Sequence, residues 1–336
     1  MDRVSEGIVV STRIRLARNI EGFPFPSHLK DEKQAKEIIR MVSSGLSKLD
    51  EFRLMYMDSI SDEKAVCLME NHLISPKLIK NRKYSAALIN REDNVSIMIN
   101  EEDHLREQAI VKGLDLRLAY DTMSEIDSKI ANYMKFAFDE QLGFLTACPT
   151  NLGTGLRASV MQFLPALTMN GLMPKLIRGI SRLGLTVRGL YGEGSDAEGC
   201  FYQISNEVTL GVTEDEILTQ VGEVVRKVGE LEENERRVLM DGPKALEIED
   251  ECLRAYGILT NCAKVSTQEF VRLCSKVKLG ACLGYINISD VSEIDDLLVK
   301  MRPSNINAAA QRLLSPTERD VYRAKYASKA LKNLTE

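Results

Sequence analysis

The feature that most constrains this chain is a change of pattern about two thirds of the way along it. Before residue 214, short runs of β-branched residues alternate with helical periodicity; after it, strand signals nearly vanish. Residues 7–14, 95–100, 185–190, 201–204 and 208–210 are short and rich in Val, Ile and Thr, and they read as strands. Residues 31–49, 118–136 and 155–169 carry the apolar spacing of helices. Beyond them come a long charged amphipathic stretch at 214–240 and further helical patterns at 244–256, 267–277, 290–301 and 316–334. The pattern predicts an α+β region followed by a mostly helical one. The boundary falls within 213–240, and we divide the chain into 1–225 and 226–336; no Pro/Gly/Ser-rich linker marks it.

Composition excludes several classes of function. With 336 residues, 44% of them hydrophobic, the chain can bury a sizeable core in one large or two ordinary domains. A net charge of −5 argues against broad nucleic-acid binding, which needs a positive field, so any basic site must be local. No apolar run approaches the roughly 20 residues of a membrane helix, and residues 1–19 carry charges where a signal peptide would be apolar. A cytoplasmic protein without membrane or direct nucleic-acid partners is expected. Seven cysteines without a CxxC pair suggest neither a disulfide framework nor a zinc ribbon, and His28, His72 and His104 are too dispersed for a metal cage. No protein-held metal is expected.

Chemistry concentrates around five arginines, Arg13, Arg15, Arg106, Arg157 and Arg188, that stand beside short carboxylate motifs and one cysteine. Arginine stays charged at any working pH and offers a fork of donors matched to phosphate oxygens, so such a set suits a nucleoside triphosphate. No GxxxxGK[ST] loop is present. Three segments frame the set. The run 100–106, NEEDHLR, follows the strand-like VSIMI; its three acids would ordinarily lie in solvent, or else one carboxylate faces a cationic substrate while Arg106 faces phosphate. The run 147–157, ACPTNLGTGLR, passes from a Cys-Pro turn through two glycines into what the periodicity makes a helix, whose N-terminus would favour anions. Cys148 is either structural or, among cations, a stabilised thiolate. The run 188–199, RGLYGEGSDAEG, satisfies the dinucleotide fingerprint GxGxxA at Gly192, Gly194 and Ala197, but the strand-like FYQI follows where a helix should, so a dehydrogenase is disfavoured.

Taken with STRIR at 11–15, these segments resemble the phosphagen kinases, the ATP:guanidino phosphotransferases, and most closely their bacterial protein-arginine kinase branch. The chain lacks most of that family's N-terminal helical domain and has YGEGSDAEG where the small-guanidine enzymes have RGEHTE. The resemblance implies an antiparallel sheet flanked by helices. It implies that ATP, with Mg²⁺ held mainly by the nucleotide, binds along Ser11, Thr12, Arg13, Ile14 and Arg15, His72, Arg106, Arg157 with Ala158, Ser159, Val160 and Met161, and Arg188 with Gly189, Leu190, Tyr191, Gly192 and Glu193. Glu102 and Glu193 would clamp the substrate guanidinium, with Cys148 beside it.

A last motif lies in the helical part. Arg319 and Arg323 are four apart on one helix face with Asp320 beside them, which by spacing alone is a solvated, salt-bridged face. The segment RDVYRA is similar to the RDxxRA phosphoarginine-binding motif of the same branch, which implies a regulatory site at Arg319, Asp320, Arg323 and Ala324. The resemblance further implies protein substrates bearing arginine, a homodimer, an activating adaptor protein, a Clp protease that receives the marked proteins in a stress response, and a heat-shock repressor among the targets. The alternatives are a kinase for a free small guanidine and a catalytically idle phosphoarginine-binding module.

Overall fold

A computed structural model of the chain describes residues 7–46, 52–189 and 198–335. In chain order its first part comprises β1 (Val9–Arg18), α1 (Glu32–Leu46), β2 (Phe52–Tyr56), α2 (Asp62–Glu70), α3 (Pro76–Lys80), β3 (Ala86–Asn90), β4 (Val95–Ile99), β5 (Leu105–Lys112), α4 (Leu116–Ala131), the two short strands β6 (Phe138–Asp139) and β7 (Gly143–Phe144), β8 (Leu156–Phe163), α5 (Pro165–Met169), α6 (Met173–Ser181), β9 (Leu185–Gly189) and β10 (Phe201–Asn206). Eight of these strands form one antiparallel sheet in the order β2-β3-β4-β5-β1-β8-β10-β9, and β6 pairs with β7. The second part is helical: α7 (Glu214–Asp241), α8 (Ala245–Asn261), α9 (Thr267–Cys282), α10 (Ser292–Lys300), α11 (Pro303–Ala310) and α12 (Pro316–Thr335).

Side chains alternate between the faces of a strand, and this alternation in β1 organises the molecule. Ile14 and Leu16 bury against a core that includes Ala158, Val160 and Ile204 of the sheet, Ile38 and Val42 of α1, Met123 and Ile130 of α4, and Ile217 to Val228 of α7. On the opposite face, Ala87, Ile89 and Met98 pack with α2 and α3 at one end of the sheet. Phe163 and Phe201 pack there with the C-terminal helices at the other end. Between the two caps lies the middle of that face, where the odd-numbered positions of β1 project.

Helix α7 begins with a capping box between Thr213 and Glu216 and runs from the first core into the second, which contains its Leu239. Buried Glu232 on α7 accepts from the Ala166 and Leu167 amides at 3.0 Å each and pairs with Arg236 at 2.9 Å, so its charge is met at the start of α5.

Two expectations fail informatively. Residues 155–169 are not one helix: β8 occupies 156–163, and helix begins only at Pro165. The strand LRASVMQF pairs with β1 on one side and β10 on the other, and this tertiary pairing overrides the helical spacing of Leu156, Val160, Phe163, Leu164 and Leu167. With the helix goes the expected helix N-terminus as an anion site. Residues 208–210 are a strap and not a strand: Thr209 accepts from the Thr154 amide at 3.0 Å, and its hydroxyl donates to the carbonyls of Thr150 and Leu152.

That strap leaves no room at Gly153, whose φ is +108° and whose position would bring an added Cβ within 2.2 Å of the Thr209 carbonyl oxygen. Gly211 also has a positive φ, +75°, but nothing within 4 Å. Gly153→Ala should therefore lower stability in urea unfolding by roughly 2 kcal/mol or more, beyond the strain-only cost at Gly211→Ala. Equal losses at the two glycines would contradict this packing.

Candidate active site

Register explains why the arginines meet. Directly opposed residues in an antiparallel pair project to the same side. Arg15 stands opposite Arg157 on β8 and Gln108 on β5, Arg13 opposite Ser159, and Arg106 opposite Ala17. Arg188 on β9 stands opposite Gln203, which stands opposite Met161, which stands opposite Ser11. All five arginines thus share one face. A cleft of about 310 Å³ on that face is lined by Arg15, Arg106, Arg157 and Arg188 together with Glu102 and Cys148. The side chains of Thr12, Ile14, Ala158 and Val160, by contrast, are buried on the other face of the sheet, and the Thr12 hydroxyl is spent on the Gly113 carbonyl at 2.7 Å.

Bringing these cations together is costly. Arg15 lines the cleft and Arg13 projects from the same face; loss of hydration, and then the charge of Arg106, pulls the Arg13 guanidinium down to about 10. Arg15 is driven well below its ordinary value by the same loss of hydration and then by Arg106, Arg13, Arg157 and Arg188 in turn. Its Nε is buried with no hydrogen-bond partner among the described residues. Burial and then Arg188 lower Arg157, which donates to the Ser205 hydroxyl at 3.2 Å. Arg106 pairs with buried Glu101 at 3.0 Å. Among the described residues Arg13, Arg15, Arg157 and Arg188 have no ion-pair partner, and a polyphosphate would supply several anions at once.

The carboxylates come from the turn between β4 and β5. Its three acids do not lie together in solvent. Glu101 is buried, held by Arg106 and by the Ser75 hydroxyl. Asp103 is buried and accepts from the Asn19 side chain at 2.7 Å and from the Ala147 amide at 2.6 Å; burial raises its pKa. All three border the cleft, but Glu102 is only half-buried and, among the described residues, is not tied to the backbone or to Arg106; the Lys77 ammonium lies 2.9 Å from it. Because Asp103 grips Ala147, it also sets the position of Cys148, whose sulfur lies 3.1 Å from the Thr150 hydroxyl in a short 3-10 turn, Pro149–Asn151.

His104 is a neutral support. His104 is buried; its Nδ1 accepts from the Ile20 amide at 3.0 Å and its Nε2 donates to the Pro24 carbonyl at 2.9 Å, which requires the uncharged ring. Burial pulls it down to about 4. His72 is pulled down to about 3, first by burial and then by Arg13, which places it at the Arg13 end of the cluster.

Leu190, Tyr191, Gly192 and Glu193 lie outside the described residues, as do Gly194 and Ala197 of the dinucleotide-like pattern. Strand β10 follows at Phe201 and pairs antiparallel with β9, so no βαβ unit exists there. Glu101, Gln203, Ser205, Thr150 and Asn151 line the cleft without having been singled out in the sequence. Glu101 sits within NEEDHLR, and Gln203 lies in the strand expected at 201–204 with Ser205 one residue beyond it, so period two was the available signal.

The C-terminal motif is not a solvated face. Arg319 and Asp320 are half-buried, but Arg323 and Ala324 are wholly interior. Arg323 donates to the Met301 carbonyl at 2.9 Å and to both the Val265 carbonyl and Asp320 at 2.7 Å. Arg319 donates to the Leu314 carbonyl at 2.7 Å.

The chain is similar to known proteins along most of its length. Residues 34–235 match the ATP:guanido phosphotransferase C-terminal catalytic domain, and residues 245–336 match the protein-arginine kinase McsB C-terminal domain. Two curated relatives are named protein-arginine kinase. The one from Halothermothrix orenii is 43% identical over 94% of this chain and 91% of its own. The one from Clostridium acetobutylicum is 41% identical over 98% of both. Among solved structures, the duplicated taurocyamine kinase of Schistosoma mansoni with bound transition-state-analogue components superposes with a TM-score of 0.64 at 29% identity, covering 78% of this chain and 38% of that one. A lombricine kinase superposes with a TM-score of 0.60 at 28% identity over 67% and 66%. The chain belongs to the ATP:guanido phosphotransferase family, in its protein-arginine kinase branch. Its sheet flanked by helices is the phosphagen-kinase fold, here followed by a helical region.

The support given by His104 should be visible in acid. In the unfolded chain a histidine titrates near ~6.5, whereas folded His104 titrates near about 4, so the unfolded state takes up the proton first. Its contribution to stability is complete above the unfolded value, is lost as pH falls from there to the folded value, and changes no further below. Urea unfolding between pH 7 and 4 should show a steeper fall for the parent than for His104→Gln. Parallel profiles would contradict the neutral, doubly bonded ring.

Proposed function

We propose that the protein transfers the γ-phosphoryl group of ATP to arginine side chains of other proteins. The observation that carries this reading is one cleft in which cations suited to a polyphosphate stand beside Glu102, a half-buried carboxylate whose partner is the exchangeable Lys77. The curated relatives named protein-arginine kinase support a protein substrate over a free small guanidine.

The chemistry follows from the groups present. A charged guanidinium has no free lone pair, so it must be oriented and must lose a proton as its nitrogen attacks phosphorus. Glu102 would fix two of its N–H groups and take that proton; Glu193, outside the described residues, would be the second carboxylate. Arg15, Arg106, Arg157 and Arg188 would hold the phosphates in line and offset the charge that grows on the equatorial oxygens. Cys148 would lie beside the guanidinium, and Arg13 and His72 toward the rest of the nucleotide. Among the described residues no group of three or more His, Cys, Asp or Glu could hold a metal. The family likeness supports Mg²⁺ arriving on the phosphates, where it would supply charge neutralisation.

The division at 225/226 would separate catalysis from regulation, with Arg319 and Asp320 the accessible part of a phosphoarginine-responsive site. Because Arg323 is tied to three partners inside the helical region, Arg319 is the informative residue to replace there. The family likeness also supports a cytoplasmic homodimer that works with an adaptor, marks proteins such as a heat-shock repressor and delivers them to a Clp protease. Among the described residues no helix is long and apolar enough to cross a membrane.

Incubation with Mg-ATP, a test protein and free arginine, followed by mass spectrometry at neutral pH, should place phosphate on protein arginine far more than on the free amino acid. The P–N bond should be lost in acid and survive mild alkali. Glu102→Gln should reduce turnover about a hundredfold or more while nucleotide affinity changes little. Acid-stable label on Ser or Thr, or label on free arginine alone, would overturn the reading.

A further inference from the structure

Beside the arginine cleft lies a second cavity, of about 550 Å³, which shares Glu101 and Glu102 with it and opens between the segment after β1 and helix α3. Four cations line it: Lys77, Lys80, Arg82 and Lys83. Arg82 is answered by Asp62 at 2.9 Å, and Lys83 lies 4.6 Å from the centre of the Tyr84 ring. Lys80 is exposed and has no ion-pair partner among the described residues. Lys77 reaches back to Glu102 at 2.9 Å, so the carboxylate assigned to the substrate guanidinium already holds a cation.

An incoming guanidinium must take Glu102 from Lys77. The displaced ammonium then stands in a cavity whose other lysines are already short of anions, and like charges in one groove repel. The state is relieved if the substrate brings its own carboxylate. We propose that this cavity receives the polypeptide flanking the target arginine and selects acidic side chains close to it in sequence, Lys77 exchanging Glu102 for a substrate carboxylate while Lys80 and Lys83 add to the attraction. The inference rests on the protein-arginine kinase reading and specifies its substrate class. Arginines in acidic surroundings become the preferred targets, and arginines in Lys/Arg-rich stretches are disfavoured by repulsion.

The test uses the full-length protein, Mg-ATP and three peptides of equal length, each with one arginine flanked by glutamate, by glutamine or by lysine. Rates of phosphoarginine formation are measured by neutral-pH mass spectrometry at low and high salt. The glutamate peptide should exceed the glutamine peptide about five- to tenfold in kcat/KM, the difference residing in KM and shrinking as salt screens the groove. Lys80→Glu combined with Lys83→Glu should reverse the order of the glutamate and lysine peptides. Equal kcat/KM for the glutamate and glutamine peptides, or an unchanged order in the double variant, overturns the groove while leaving the kinase reading intact. Failure of the parent to label arginine in any peptide or in a test protein overturns both.

Discussion

Everything at this site depends on holding like charges together. Arg15 and Arg157 are direct cross-strand neighbours, and Arg13, Arg106 and Arg188 project from the same face of the same sheet. An isolated pair of opposed cations weakens a sheet. Here the opposition is tolerated because β1 is central, paired along its length with β5 and β8, and because its other face is locked into the core by Ile14 and Leu16. A one-residue slip would bury the arginines and expose the core, so the burial that stabilises the fold also fixes the arginine cluster. The resulting cluster is strained electrostatically in the absence of an anion, as expected for a site organised before its ligand arrives.

The turn between β4 and β5 shows how neighbouring residues divide the work. Glu101 neutralises Arg106, Asp103 ties the turn to Asn19 and to the backbone before Cys148, and His104 ties it to the chain just after β1. With these three anchored, Glu102 is left at the cleft with a replaceable partner, Lys77. The acids of this run are therefore not interchangeable: two are structural and one is available. The helical region reaches the same neighbourhood by another route. Glu70, two residues before His72, accepts from the Ser304 and Asn305 amides at the start of α11, and Arg323 holds the Met301 carbonyl just ahead of it.

Much of this was legible in the sequence, and the rest has physical reasons for being hidden. Strands β1, β4, β9 and β10 and the C-terminal helices follow from local pattern, and the arginines were recognisable beside their motifs. Strand β8 was not: LRASV alternates apolar and polar residues, but Leu156, Val160, Phe163, Leu164 and Leu167 also recur at helical spacing, and local pattern does not decide between the two. The C-terminal motif erred in burial: two arginines one turn apart read as solvated, yet Arg323 turns inward to carbonyls supplied by residues 265 and 301, partners that no local spacing reveals. The same holds for Glu101 and Asp103, whose partners lie at positions 75, 19 and 147.

The central claim, that the sheet confines arginines at an electrostatic cost which a polyphosphate relieves, is tested most directly by thermal unfolding of the parent and of Arg15→Gln, each with and without Mg-ATP. Arg15 carries an unpartnered buried Nε and stands opposite Arg157. The account predicts that Arg15→Gln unfolds at a higher temperature than the parent in the absence of nucleotide and loses most of the rise that Mg-ATP produces in the parent. A variant that is less stable than the parent without nucleotide, or that keeps the full nucleotide-induced rise, would contradict it.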